Sequence, residues 1–263
     1  MRSRHFWRNI RITVLSLVLV IVAGGTWLDQ HRTTSWQHPV WVGAFPINAD
    51  GSDVAAQYIA ALGSAAELQP VTDFVALEAH RYGIRLDDPV DIRLYPPPAE
   101  RPPVLSPRAS VPERIVWSLR LRLYRLRILS GIERGRPQIV LFLLYHDPAR
   151  SATLPHSVGL QRGLLGVVHL FATPAQAAQN AVVTAHELLH TFGATDKYDL
   201  ETGIPRYPEG YAEPGLDPRY PQHFAEIMAG RIPLTSDRQV MPDDLAHTVV
   251  GPATAREIGW IHR

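Results

Sequence analysis

The chain of 263 residues is 46% hydrophobic and 19% charged, with a formal net charge of +1. That balance supports a sizeable core and gives no electrostatic reason for a nucleic-acid partner. The absence of cysteine excludes disulfides, thiolate metal ligands and cysteine nucleophiles.

Residues 1–11 are basic, with Arg2, Arg4, Arg8 and Arg11, and Ile12 to Leu28 form an uncharged apolar run near the lower limit for a membrane-spanning helix. The charge asymmetry predicts a cytoplasmic tail (1–11), a transmembrane anchor (12–28) and a polar tether (29–39). A cleaved signal peptide is the alternative. Either way, residues 40–263 are expected as one periplasmic or extracellular domain.

Within that domain, residues 40–47 read as a first strand and "PVDIRLY", 89–95, as a second, with a helix from about Val54 to His80 between them. A proline cluster from Pro96 to Pro112 precedes "ERIVWSLRLRLYRLRILS". There Pro112 and Glu113 make a helix start, and Ile115, Leu119, Leu123 and Leu126 share one face. The arginines between them read as a solvated face, with contact to anionic lipid headgroups as a lesser reading. "QIVLFLLYHD", 138–147, is a buried strand, and "GLLGVVHLFA", 163–172, is a further apolar run. A helix follows from about Pro174 to Phe192, then a loop rich in glycine and proline, and a short C-terminal helix in "GPATAREIGW". The expected fold class is α+β: one mixed twisted sheet with a central helix.

That central helix ends in "HELLHTFGATD". Histidines four apart project from one helix face and can grip one ion, and Glu187 beside them can reach a metal-activated water. Catalytic zinc takes three protein ligands and keeps one position open. Gly193 lets the chain turn back after His190, and the turn favours Asp196 as third ligand. Asp199, Glu201, Glu209, Glu213 and Glu226 are the rivals. Asp199 and Glu201 make no strong case for a structural calcium.

These residues resemble the metzincin signature H-E-x-x-H-x-x-G-x-x-H/D, with aspartate in place of the usual third histidine, as in snapalysin-type proteases. The resemblance implies a zincin-like domain and a methionine turn beneath the metal, for which Met228 in "AEIMAG" lies at a suitable distance. It covers roughly residues 160–263. It also implies that an edge strand before the metal helix pairs with extended substrate, which suggests Gly166 to Phe171. His169 on that run reads as a packed or surface residue. Many metzincins carry a tyrosine two residues after the turn methionine. Gly230 stands there, which leaves Tyr198 as the nearest phenol in sequence.

The expected function is a zinc-dependent endopeptidase acting on peptide or protein substrates, with His186, His190 and Asp196 holding Zn2+ and Glu187 as general base. Two alternatives stand beside it: a membrane-tethered scaffold with a structural zinc, and a thermolysin-like peptidase whose third ligand is Glu209, Glu213 or Glu226.

Overall fold

The computed structural model describes residues 33–261, apart from 64, 107, 133, 134, 162 and 163. Five strands, β1 (Val40–Asn48), β2 (Val90–Leu94), β3 (Ile139–His146), β4 (Val158–Leu160) and β5 (Leu165–Phe171), form one sheet in the order β2-β1-β3-β5-β4. The first four in that order pair in parallel, and β4 is an antiparallel edge. Parallel neighbours need long crossovers. Helices α1 (Asp53–Ala61) and α2 (Gln69–Arg81) supply the one from β1 to β2 and α3 (Val111–Ser130) the one from β2 to β3, while the connection from β3 to β5 carries β4; α4 (Ala177–Phe192) and α5 (Pro252–Glu257) follow β5.

This interleaving corrects the expected α+β class, because the helices alternate with parallel strands instead of being set apart from the sheet. The architecture is mixed α/β, with short two-stranded pairings after α4, among them β6 (Ala225–Glu226) with β7 (Thr248–Val249). A second correction concerns the membrane. No helix among the described residues is long and apolar enough to cross one. The expected anchor, 12–28, lies outside the described residues, as does the basic tail. The single-pass placement, with a periplasmic or extracellular domain behind an anchor, is therefore not retained.

The strands bury both faces by simple alternation. In β3, Ile139, Leu141, Leu143 and Tyr145 join a core shared with α2 and α4, while Val140, Phe142 and Leu144 join another under α3. The sheet thus separates α4 from α3. The single helix expected over 54–80 is two, since Gly63 takes φ +46° and Pro70 can only open a new helix. Ser52 is the N-cap of α1, its side chain accepting from the Ala55 amide.

α3 is capped by Ser110 and Glu113, whose carboxylate accepts from the Ser110 amide at 2.7 Å. Its buried face is not the one the apolar spacing suggests. Trp117, Leu121, Tyr124 and Leu129 pack on the sheet, and Ile115, Leu119, Leu123 and Leu126 point away from it. The polar tips of the two aromatics decide the orientation: Trp117 Nε1 donates to Pro103 O at 2.7 Å, and the Tyr124 hydroxyl to Glu100 O at 2.5 Å.

Candidate metal centre

One turn of α4 separates His186 from His190 on the same face, and their Nε2 atoms lie 3.1 Å apart. A backbone carbonyl steers each ring from behind. His186 Nδ1 donates to Ile227 O at 2.9 Å, and His190 Nδ1 to Ala194 O at 2.8 Å. A carbonyl oxygen only accepts, so Nδ1 holds the proton and Nε2 presents its lone pair inward.

Gly193 ends α4 at φ +114° and ψ 4°, in the left-handed region. A Cβ there would also fall 2.1 Å from Gln161 Nε2. The turn returns Asp196 to the helix face, with Oδ1 3.1 Å from His190 Nε2 and 3.4 Å from His186 Nε2. That buried oxygen has no hydrogen-bond partner. Three lone-pair atoms therefore face one another, an arrangement that repels itself unless positive charge sits among them.

Among the described residues, His186, His190 and Asp196 are the group of metal-ligating side chains whose atoms all lie within 4.8 Å of one another. Two neutral imidazole nitrogens and a carboxylate oxygen fit a divalent cation. In the metal-free site a proton competes for the same atoms. Burial alone would lower His186, but the Asp196 carboxylate, Glu187 and the Ile227 carbonyl outweigh it and push it up to about 9. Burial likewise works to raise Asp196, yet the two imidazoles hold it well below the usual carboxylate range.

Glu187 is buried beside the group, and its Oε2 has no hydrogen-bond partner. Burial raises its pKa; the two histidines and the Gly159 amide oppose that, while Asp196 adds to it. The Tyr198 phenol is also at the site, within hydrogen-bonding reach of Asp196. Burial and the charges of Asp196 and Glu187 push it up to about 12.

Edge strand β4 passes directly over α4. A Cβ on Gly159 would come 2.5 Å from both the Glu187 carbonyl oxygen and His190 Cβ. Glycine is the residue that permits this approach. β4 also corrects the expectation that Gly166 to Phe171 form a free edge: Leu165, Gly166 and Val167 are already paired with Leu160, Gly159 and Val158. Sequence reading missed β4 because three residues carry too little alternation to register as a strand.

The rival carboxylates are elsewhere. Glu226 is fully buried and consumed by four donors: the amides of Met228 and Ala229 at 2.7 and 3.0 Å, the Gly251 amide at 3.1 Å and the Thr254 hydroxyl at 2.6 Å. It is the anchor of the turn that carries Ile227 and Met228. Met228 is buried, and its carbonyl accepts from the Lys197 amide at 3.0 Å. The turn thus holds His186 through Ile227 O and the Asp196 segment through Met228 O. Glu213 pairs with His223, Glu209 and Glu201 are exposed, and Asp199 Oδ1 caps Glu201 and Thr202.

Lys197 is buried. Its Nζ lies 2.7 Å from Glu257 Oε2, and Glu257 also accepts from the Thr195 amide, tying the metal loop to α5. His169 points to the opposite face of the sheet and meets His146 at 2.8 Å. No protein-family model and no curated protein matches this chain.

Proposed function

We propose that this chain is a zinc-dependent endopeptidase, with His186, His190 and Asp196 as the zinc ligands and Glu187 as general base. The observation that carries the reading is the Glu187 carboxylate, buried with an unpartnered oxygen beside three convergent ligand atoms. A desolvated carboxylate with one oxygen left unpartnered is costly unless the site uses it. A closed structural zinc site would present a fourth protein ligand; among the described residues the group stops at three. The resemblance of residues 186–196 to the metzincin signature, and the position of Met228 in the turn behind His186, support the same reading.

When bound, zinc supplies Lewis acidity towards a water and a substrate carbonyl. The chain's own residues do the rest. Glu187, with its proton affinity raised by burial, accepts a proton from the attacking water and delivers it to the departing amine. The Tyr198 phenol, kept protonated, is placed to donate to oxygen charge developing near Asp196. The Ile227 and Ala194 carbonyls keep both imidazoles in the tautomer that leaves Nε2 free. β4 is the edge of the sheet alongside, on which extended peptide backbone can pair.

The test is zinc content and peptide cleavage in wild type, Glu187→Gln and Asp196→Ala. Wild type should carry about one zinc per chain. Glu187→Gln should keep the metal and lose about 10²–10⁴-fold in kcat; Asp196→Ala should lose the metal. A fully active Glu187→Gln protein would sink the mechanism. Wild type that folds without retaining zinc would sink the metal assignment.

A further inference from the structure

α3 is apolar on two opposite sides, and only one of them meets the sheet. The outer stripe leaves Ile115 57%, Leu119 54%, Leu123 65% and Leu126 58% exposed, with Val111 at 71% at its start. Val104, in the preceding segment, is 87% exposed. Among the described residues nothing packs over this stripe. At about 3.6 residues per turn, Arg120 and Arg127 fall along one flank of it, Arg127 in an exposed pair with Glu100 at 3.2 Å; Arg122 and Arg125, both half-buried, fall along the other, and Arg125 also donates to Gln138 O at 3.0 Å. The only acidic side chain on the helix is Glu113, held at the N-terminus by Ser110.

An apolar stripe this large on a water-facing helix marks a contact surface, and the flanking charge selects the partner. A second copy would bring arginines against arginines. The chain's own apolar run, 12–28, is preceded by Arg2, Arg4, Arg8 and Arg11, with no acidic residue before Asp29, so it has no complementary charge either. A leucine-rich face between two rows of arginine instead matches a helix lying in the plane of an anionic bilayer. There the apolar side chains enter the acyl boundary and the guanidinium groups reach lipid phosphates.

We infer that the outer stripe of α3, from Val111 to Leu126, docks this domain on an anionic lipid surface. The contact is peripheral: α3 is 20 residues long but too charged to enter the hydrocarbon core. α3 and α4 cover opposite faces of the sheet, so docking leaves the metal group directed away from the lipid. The inference is independent of the catalytic assignment.

Because the chain has no cysteine, Leu123→Cys in the full-length protein takes a single environment-sensitive fluorophore. Leu77→Cys, on α2 across the sheet and 64% exposed, is the control. With phosphatidylglycerol vesicles, emission from position 123 should shift to the blue and that from position 77 should not. Phosphatidylcholine vesicles should leave both unchanged. The shift should weaken in about 1 M salt, where the screening length falls to about 3 Å, and be lost when Arg120→Glu and Arg127→Glu are added. No shift at position 123, or an equal shift on the two lipids, would overturn the inference. So would emission already blue without lipid, which would show the stripe covered by residues 12–28 or by a second copy.

Discussion

Helices α3 and α4 lie on opposite faces of one sheet and use apolar spacing in opposite ways. In α4 the residues that recur at helical spacing are the ones that pack: Ala181, Ala185, Leu188 and Phe192 are all buried. In α3 the more regular apolar series, Ile115, Leu119, Leu123 and Leu126, is the one left outside. The lesson is physical. Apolar periodicity shows that a helix has a preferred face, but not which face the core receives. That choice goes to the side that can also satisfy its polar atoms, and in α3 this is the side of Trp117 and Tyr124.

The comparison can be broken by truncation. Leu188→Ala in α4 and Leu121→Ala in α3 remove fully buried side chains, and each should cost about 2–5 kcal/mol in denaturant unfolding. Were Leu121→Ala nearly neutral, α3 would be seated on its other face.

The candidate ligand group was open to sequence reading, whereas its surroundings were not, and the reason is range. His186, Glu187, His190 and Gly193 are set by one helix and its cap, so local spacing defines them. Asp196 follows from the turn that Gly193 permits. Glu226 could not be read as an anchor, because its four donors come from residues 228, 229, 251 and 254, brought together only by the fold. The Lys197–Glu257 pair spans the same kind of distance. The sheet class was misjudged for a related reason: parallel pairing of β1 with β2 and β3 is a long-range property that strand sequences alone do not state.

Charge separates the two helices further. The α4 site titrates when it lacks metal. His186 is raised from an ordinary 6.5 to about 9, so the folded state holds its proton more tightly than the unfolded chain. That stabilisation is complete below about pH 6.5 and is lost as pH rises through about 9. Asp196 is depressed, so its contribution is present above its ordinary 3.8 and is lost only in stronger acid. Chelated protein should therefore weaken between pH 6.5 and 9, by at most about 3 kcal/mol. Zinc-loaded protein should not, because the ion takes the place of the proton. Thermal unfolding across that range, with chelator and with zinc, measures both slopes. Equal slopes would mean that the cation does not occupy this group.

The smallest expected effect discriminates most sharply between the two helices. Leu123→Ala removes an apolar side chain from a residue that is 65% exposed, so unfolding free energy should move by no more than about 0.5 kcal/mol. Alanine is also a slightly better helix former than leucine, which biases the change towards zero or a small gain. The same substitution at Leu121, two positions earlier and fully buried, falls in the range of a core cavity. A cost of about 2 kcal/mol or more at Leu123 would mean that the stripe is packed in solution. If that cost grew with protein concentration, the cover would be a second copy; if it did not, the cover would come from the same chain. A neutral Leu123→Ala leaves the stripe free in water, the condition that docking on a lipid surface requires.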